Sequence, residues 1–597
     1  MPDAAPLPAA AALVPPTLRP GRELLAEGRA LARYWRVGRT PFLEAADVAC
    51  EADYKRAMAA RGRIMQHAHI GFRSVERTCA AMSEVHRACL QRGVTVDRFG
   101  ITLDWSMGYP TALRAERPRG TGIVLDGLED FQRIADAAPA ATHFGDFMIG
   151  LPAAVENTQA ALAAGVTAIG NLGQYFTFWL PYWDDDRATT EATIVALSLV
   201  AAQPAEVLVH SNLDDGFAGL FADVSSALGM VLIEKYDVEE LIGARVSHCY
   251  GHHFSQPLLR LAFHQAVAEL SDSTGTMIFG NTVSYRSTPA ANYASLANYL
   301  QADVWALRRR PTGHAINPVP VTENERIPDV DEIIDAQVFA ARLIEQATAS
   351  EALVDRGVVD EVAAKLVEGG RRFAQDMLAG LGDLGVDLSD AAELMLALRR
   401  VGPRRLEGHF GAAKVGGSMP STVVAAEWLQ ELDDAAAAWA GGLKHDFKRR
   451  IRGAALRACV GTTDVHEHGK CLVERALTKL GVLIIDGGVS TDPEELVAVA
   501  TDQGADFIAI STYNGIALRY AGDVARCLAR ADLDIPVCIG GRLNQVPDDS
   551  NSGLPVDVTD DIRALGLTPC ASLDDLSPLL RRLAEVPTAQ QRKTRQS

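Results

Sequence analysis

Between about residue 60 and about residue 310, short apolar runs alternate with segments of helical character, and this alternation restricts the fold more than any other feature. The runs recur at roughly 30 to 40 residues, the spacing expected when each strand is followed by a helix that covers the sheet. Eight such parallel strands close into a (β/α)8 TIM barrel. The predicted strands, one more than a barrel holds, are Ile64–Ile70, Phe99–Trp105, Gly122–Asp126, Ala141–Phe144, Val166–Asn171, Val207–Leu213, Arg245–Tyr250, Thr276–Asn281 and Val304–Arg308.

Polar residues gather where these runs end. A single polar loop residue usually only contacts water, but barrel enzymes build their sites at the carboxyl ends of the strands. The collective placement of the polar residues at the ends of these runs therefore predicts a binding site at this rim. The groups are Asp104–Ser106, His143, Asn171–Tyr175, His210–Asn212, His248–His253, Asn281 and Arg308–Arg310.

The segment His248–His253 also contains residue types that bind zinc, namely His248, Cys249, His252 and His253. No glutamate or second cysteine completes a tetrahedral ligand set at the usual spacing. Contact with a substrate or cofactor is therefore the preferred interpretation, and a zinc site is the alternative.

Near the C-terminus, the stretch Gly461–Lys470 follows an apolar run and precedes a helix-like segment, so it forms a strand-to-helix loop. It contains the pattern Asp464-x-His466-x-x-Gly469. A loop histidine can approach a metal through one ring nitrogen while the other nitrogen donates to a carboxylate, which fixes the tautomer. His468 is a rival ligand, and a solvated loop histidine is the simpler alternative.

The chain then alternates as a doubly wound α/β unit does. Strands are predicted at Val482–Gly487, Phe507–Ser511 and Ile535–Ile539, and a capping box at Thr491–Glu494 starts a helix. Ser511–Gly515 and Gly540-Gly541 follow two of these strands. In open parallel sheets ligands bind at this edge, near the point where the strand order reverses.

Asp464-x-His466-x-x-Gly469, followed by Ser511-x-Tyr513 and Gly540-Gly541, resembles the cobalamin-binding domain of base-off/His-on corrinoid enzymes. The resemblance implies a flavodoxin-like (Rossmann-like) domain in which His466 is the lower cobalt ligand and Asp464 is its partner. It also implies that Ser511, Gly540 and Gly541 line the channel for the nucleotide tail of the cofactor. Tyr513 departs from the family, which has leucine there.

The region from about residue 60 to about residue 420 is similar to the large subunit of glutamate mutase, and the C-terminal region is similar to its small subunit. The resemblance implies two fused subunits, adenosylcobalamin as cofactor and a radical carbon-skeleton isomerisation. It also implies that Tyr182 and Arg309 lie near the cofactor, Arg309 at a position where the family has lysine. It is clearest in Gly165–Trp183, Val207–Asn212, Val246–Gly251 and Val304–Pro311.

The substrate pocket departs from that family. The arginines that hold the substrate carboxylates in the family are absent from Gln66–His69, Asp104–Met107 and Thr142–Phe144, and Leu172 replaces a glutamate. A dicarboxylate would lose charge-assisted hydrogen bonds worth about 1.5–3 kcal/mol each. We therefore predict a small-molecule substrate other than glutamate, and we predict His143, Gln174 and His248 as its contacts.

The length of 597 residues implies several domains. We predict a partly disordered N-terminal arm at 1–45, a substrate-binding barrel at 46–349, a helical connection with a hinge at 350–453, and a cobalamin-binding domain at 454–597. Corrinoid-dependent methyl transfer is an alternative function, although such proteins usually carry a small helical cap domain before the cobalamin domain. A cobalamin-binding sensor protein is a second alternative.

A net charge of −19 and a pI near 5.2 disfavour nucleic acid and anionic membranes as partners. No apolar run is long enough to span a bilayer, and the N-terminus lacks the basic start of a signal peptide. Nine scattered cysteines favour a reducing, cytoplasmic compartment. A homodimer is compatible with these features, which do not determine the oligomeric state.

Overall fold

The computed structural model describes residues 6–216, 220–252, 256–281, 284–285, 288–412, 422–463, 467–513, 515–546 and 555–585. The chain divides into two compact units. The barrel unit comprises Met1–Thr177 and Asp184–Glu427, and the C-terminal unit comprises Phe178–Trp183 and Trp428–Ser597.

The barrel unit contains eight parallel strands paired in the order β3-β2-β1-β8-β7-β6-β5-β4, which confirms the predicted (β/α)8 barrel. Described backbone ladders join every neighbouring pair except β3 and β4, so the barrel is nearly closed. At that seam, His143 Nδ1 lies 3.1 Å from the carbonyl oxygen of Ala168. The strands are β1 (Met65–Ile70), β2 (Arg98–Ile101), β3 (Ala141–Phe144), β4 (Ala168–Gly170), β5 (Leu208–Asn212), β6 (Arg245–Tyr250), β7 (Met277–Ile278) and β8 (Ala315–Ile316).

Two of the nine predicted strands are wrong, and one real strand was missed. Val304–Arg308 lies inside a helix, Pro289–Arg309, whose buried residues Leu296, Leu300 and Val304 recur at helical spacing. Gly122–Asp126 contributes only an isolated bridge between Leu103 and Ile123. The missed strand, β8, is only two residues long, too short to produce a recognisable alternation.

Helices surround the barrel. Serine and aspartate side chains begin several of them, as when Ser74 Oγ accepts from the backbone N–H of Arg77. The helices of this unit are α1 (Ala10–Leu13), α2 (Gly21–Leu31), α3 (Pro41–Ala46), α4 (Glu51–Ala60), α5 (Val75–Gln91), α6 (Thr111–Arg114), α7 (Leu128–Ala135), α8 (Ala154–Ala163), α9 (Gly173–Thr177), α10 (Asp186–Ala201), α11 (Val224–Lys235), α12 (Pro257–Leu270), α13 (Pro289–Arg309), α14 (Val330–Ser350), α15 (Arg356–Asp383), α16 (Ala391–Val401) and α17 (Pro403–Phe410). Trp105–Gly108 and Glu351–Leu353 are 3-10 turns, and Tyr236–Ile242 is a π-helix.

Close helix packing extends to both ends of this unit. In the segment predicted as an N-terminal arm, Gly28 lets α2 approach α10, where any β-carbon would overlap the carbonyl oxygen of Val195. The same contact includes a hydrogen bond from Ser198 Oγ to the carbonyl oxygen of Leu25 at 2.7 Å. Helix α15 approaches α11 at Gly370, where a β-carbon would lie 3.1 Å from the backbone nitrogen of Gly229. Most of the predicted hinge, Gly411–Ser421, lies outside the described residues.

The C-terminal unit is built on a five-stranded parallel sheet with the order β10-β9-β11-β12-β15. In chain order this is 2-1-3-4-5, which confirms the predicted flavodoxin-like fold. The strands are β9 (Arg457–Thr462), β10 (Leu483–Asp486), β11 (Phe507–Thr512), β12 (Val537–Gly541) and β15 (Thr568–Cys570), with a small hairpin of β13 (Asn544–Gln545) and β14 (Val556–Asp557). The helices are α18 (Glu427–Gly442), α19 (His445–Ala454), α20 (His468–Lys479), α21 (Pro493–Asp502), α22 (Ala517–Arg530), α23 (Thr559–Ala564) and α24 (Leu576–Ala584), with a 3-10 turn at Leu573–Asp575.

Alternate residues of the C-terminal sheet enter two apolar cores, one on each face. Ile508 and Ile510 join one core, whereas Phe507 and Ala509 join the other. Helices therefore cover both faces and leave the carboxyl-end edge for ligands. Within the described segments, no helix combines the length and apolarity that a membrane span requires.

Candidate functional site: the edge of the C-terminal sheet and the barrel interior

The carboxyl ends of β9 and β11 meet where the strand order of the C-terminal sheet reverses. The backbone N–H of Thr463 donates to the carbonyl oxygen of Ser511 at 2.9 Å, and the hydroxyls of Thr463 and Thr512 are 3.0 Å apart. The predicted cobalt ligand His466 and its partner Asp464 lie outside the described residues, so their roles stay predictions.

Gly469 and Ser511 lie against each other at this edge. Gly469 is in the first turn of α20, and a β-carbon there would overlap Ser511 Oγ and lie 3.3 Å from Ser511 Cβ. Ser511 itself is 9% exposed. Glycine at this position therefore allows the first turn of α20 to pack directly against the Ser511 side chain at the edge of the sheet.

The Gly540-Gly541 pair ends β12. Gly541 has φ +106°, and a β-carbon on it would overlap the carbonyl oxygen of Thr512. A β-carbon on Gly540 would lie 2.7 Å from the carbonyl oxygen of Cys570. Close packing between neighbouring strands therefore requires glycine at both positions, whether or not a ligand binds there. Because neither residue has a side chain, backbone atoms line this part of the edge.

Tyr513 is 39% exposed just beyond β11, and the Arg542 guanidinium lies 4.5 Å from its ring centroid. A tyrosine stacked on a cation therefore occupies the position at which the family has leucine.

Ion pairs hold the first turn of α20 in place. The buried Lys470 Nζ lies 2.7 Å from Glu474 Oε1 and 2.8 Å from Asp486 Oδ1.

Two other candidates also lie in the C-terminal unit. The ring of His468, the rival ligand, packs against Trp428 with centroids 5.7 Å apart. Tyr182 has φ +55°, and its backbone N–H donates to Asp492 Oδ2 at 2.6 Å. Burial, with smaller contributions from Glu494 and Asp492, raises the pKa of the Tyr182 phenol to about 12, so it is protonated at neutral pH.

Four histidines line the barrel interior. A β-carbon on Gly100 would lie 2.6 Å from His67 Nε2 and 3.0 Å from His69 Nδ1, and the rings of His143 and His210 are 4.4 Å apart. Burial, and secondarily the charge of Arg98, lowers the pKa of all four, to about 4 for His69. The imidazoles are therefore neutral at pH 7.

The four residues predicted in the barrel rim have different surroundings. His143 lies at the β3–β4 seam, and Gln174 Oε1, just after β4, accepts from the backbone N–H of Phe147, just after β3, at 2.9 Å. His248 instead faces α11, where its Nδ1 lies 3.1 Å from Glu234 Oε2. Arg309 ends helix α13 and pairs with Asp360 of α15.

The reasons for these two differences are local. Side chains alternate along β6, and since Cys249 faces the interior beside Arg98, His248 must face the helices. The prediction that Arg309 lies at the rim depends on Val304–Arg308 being a strand, whereas this segment belongs to helix α13. Any role of His248 or Arg309 near a substrate or cofactor stays a prediction. Among the described residues no group of three His, Cys, Asp or Glu side chains could hold a metal, and His253 lies outside them.

The sequence interpretation includes Asn171 and Asn212 among the polar rim residues but misses the two aspartates, Asp146 and Asp215, that join them in an acid–amide group at the ends of β3, β4 and β5. We call this group the mouth cluster: Asp146, Asn171, Asn212 and Asp215. Asn171 Nδ2 donates to Asp146 Oδ1 at 3.2 Å and to Asp215 Oδ2 at 2.9 Å. Asn212 Nδ2 also donates to Asp215 Oδ2, at 2.9 Å. The available signal was the position of both aspartates a few residues after a predicted strand.

A comparison with models of protein families agrees with the geometry of the C-terminal sheet. Residues 453–558 match the family model of the B12 binding domain. A solved structure described as a novel cobalamin-binding protein from Desulfitobacterium hafniense DCB-2 is 15% identical, with 26% of this chain and 79% of that chain covered and a TM-score of 0.19. No curated protein matches the chain. The family match and the fold together assign a cobalamin-binding domain to the C-terminal part of this protein.

Proposed function

We propose that this protein is an adenosylcobalamin-dependent radical isomerase, with both glutamate-mutase-like subunits fused, that acts on a small molecule other than glutamate. The main support is that one chain carries a cobalamin-binding domain and a nearly closed eight-stranded parallel barrel. A barrel of this kind can enclose a small substrate and exclude water from a reactive species.

The residues at the edge of the C-terminal sheet fit the cofactor. His466 would be the lower ligand, and Ser511, which packs against Gly469, would line a groove that accepts the nucleotide tail. Adenosylcobalamin, when bound, supplies the carbon radical that starts such isomerisations. The barrel would position the substrate and exclude water. Its four neutral imidazoles can donate or accept hydrogen bonds without adding a buried charge.

The helices of the two units favour isomerisation over methyl transfer. Two helices, α18 and α19, precede β9 in the described part of the C-terminal unit, whereas α14 to α17 belong to the barrel unit. A separate helical cap domain, which corrinoid methyl-transfer proteins usually carry, is not formed by these described helices.

Electron paramagnetic resonance tests the proposal in two steps. With cobalamin in the cobalt(II) state, the wild-type protein should show hyperfine coupling to a protein nitrogen. The variant His466→Ala should lose this coupling, and the matched variant His468→Ala should retain it. Coupling that survives in His466→Ala would contradict the assignment of the lower ligand.

The second step adds adenosylcobalamin and candidate substrates to the wild-type protein. A signal from an organic radical coupled to cobalt supports the isomerase. Its absence together with rapid exchange of a methyl group from methylcobalamin would instead establish a methyltransferase.

A further inference from the structure

Two histidines of this chain are candidates for the lower cobalt ligand. His466 and His468 are two residues apart in the sequence, and an imidazole nitrogen of either binds a metal by the same chemistry. The structure describes His468, which is half-buried and is the first residue of α20. Its ring packs against the ring of Trp428, with centroids 5.7 Å apart and planes inclined by 33°. One of the two candidates is therefore already engaged by an aromatic side chain.

The first turn of α20 meets two different elements. Gly469 faces β11, because a β-carbon on it would overlap Ser511 Oγ. Consecutive residues of a helix point about 100° apart, so His468 points to another side of α20 than Gly469 does. On that side it meets Trp428 of α18. The aromatic contact therefore holds the His468 ring against α18 rather than at the sheet edge beside Ser511.

Trp428 is itself firmly held. It is 6% exposed and begins the buried face of α18, which continues through Leu432 and Ala436 at four-residue spacing. An ion pair between Arg475 Nε and Asp433 Oδ1, at 2.9 Å, ties α20 to α18. Aromatic pairs with inclined rings attract each other beyond the area that they bury. Any movement of the His468 ring toward another partner would therefore break a contact between two helices that are fixed to each other.

We propose that Trp428 decides which histidine binds cobalt, because it keeps the His468 imidazole packed on α18 and so leaves His466 as the lower ligand. This inference rests on the proposed function. Trp428 acts through His468 and is not itself a ligand, so it is a positioning residue. Its role predicts that removal of the indole ring lets His468 bind cobalt when His466 is absent.

The test looks for a nitrogen ligand that is lost and then regained. Excess cobalamin in the cobalt(II) state is added to each full-length variant, and electron paramagnetic resonance measures the hyperfine coupling to a protein nitrogen. His466→Ala should show no coupling. His466→Ala/Trp428→Leu should show it again, since leucine keeps apolar packing but has no ring to pair with His468. A triple variant that also carries His468→Ala should lose the coupling once more, which identifies its source.

Two matched controls separate this role from general helix packing. Trp439 lies on the same helix about 16 Å further along, and its indole N–H donates to Asp574 Oδ1 at 3.0 Å. His466→Ala/Trp439→Leu should therefore show no coupling. His466→Ala/Trp428→Phe keeps an aromatic ring beside His468 and should show none either. Circular dichroism melts check that each variant is folded, and Trp428→Met takes the place of Trp428→Leu if the leucine variant is not.

The inference is overturned if no coupling returns in His466→Ala/Trp428→Leu, if either control also shows it, or if it survives the removal of His468. A wild type without coupling, or coupling that persists in His466→Ala, contradicts the assignment of His466 and this inference with it. Coupling that His466→Ala loses and the Trp428 variant does not regain contradicts the role of Trp428 alone.

Discussion

The contact between Gly469 and Ser511 allows a double-mutant test of the cobalamin groove. In Gly469→Ala the new methyl group overlaps Ser511 Oγ, so the serine side chain must change its rotamer, and we expect this change to turn its hydroxyl into the proposed groove. A bound nucleotide tail blocks that movement, so overpacking strain of about 1–3 kcal/mol arises in the complex but not in the free protein. Affinity for adenosylcobalamin should fall roughly 5- to 150-fold, since about 1.4 kcal/mol corresponds to tenfold.

Ser511→Ala alone removes one hydroxyl and should weaken binding about fivefold, the effect of one hydrogen bond worth about 1 kcal/mol. In the double variant the oxygen is absent and the nearest atom is a β-carbon 3.3 Å away, so the added methyl nearly fits. The double variant should therefore bind about as well as Ser511→Ala, which makes the two effects strongly non-additive.

Absorption titrations with adenosylcobalamin in the dark measure all four affinities. The control is Gly453→Ala in α19, where a β-carbon would meet no atom within 4 Å, and its affinity should equal that of the wild type. Additive effects of the two substitutions, or an unchanged affinity in Gly469→Ala, would refute the proposed groove.

Two further predictions concern stability. Gly541→Ala should lower the thermal midpoint of unfolding, because the backbone strain at φ +106° and the overlap with the Thr512 carbonyl oxygen together cost about 1–3 kcal/mol. The control Gly453→Ala should raise the midpoint slightly, and equal midpoints in the two variants would contradict the geometry. His264 is buried between the Tyr250 hydroxyl (2.6 Å) and the Arg310 carbonyl (2.9 Å), and burial lowers its pKa to about 4. Since the unfolded chain, with a pKa near 6.5, binds the proton more tightly, stability present above about pH 6.5 is lost as the pH falls toward 4. When the pH is lowered from 7.5 to 5, the free energy of unfolding measured with denaturant should decrease by about 2 kcal/mol more in the wild type than in His264→Gln. Equal decreases in the two proteins would contradict a neutral buried imidazole.

The sequence by itself determined the order of the C-terminal strands along the chain and seven of the eight barrel strands, because apolar runs and capping residues are local signals. It also indicated a ligand edge at Ser511 and Gly540-Gly541, since the ends of parallel strands meet at one edge of a sheet. A two-residue strand such as Ala315–Ile316 and an apolar run inside a long helix such as Val304–Arg308 could not be distinguished locally.

Only the tertiary structure decided which side chains meet. A shift of one residue along β6 exchanges the interior for the helical face, and so His248 meets Glu234 while Cys249 enters the barrel. The mouth cluster joins Asp146 to Asp215 through Asn171, residues that no sequence period relates. Their grouping depends on how eight strands pair around a barrel, because a ladder between distant segments is fixed by packing over the whole fold and not by any local pattern.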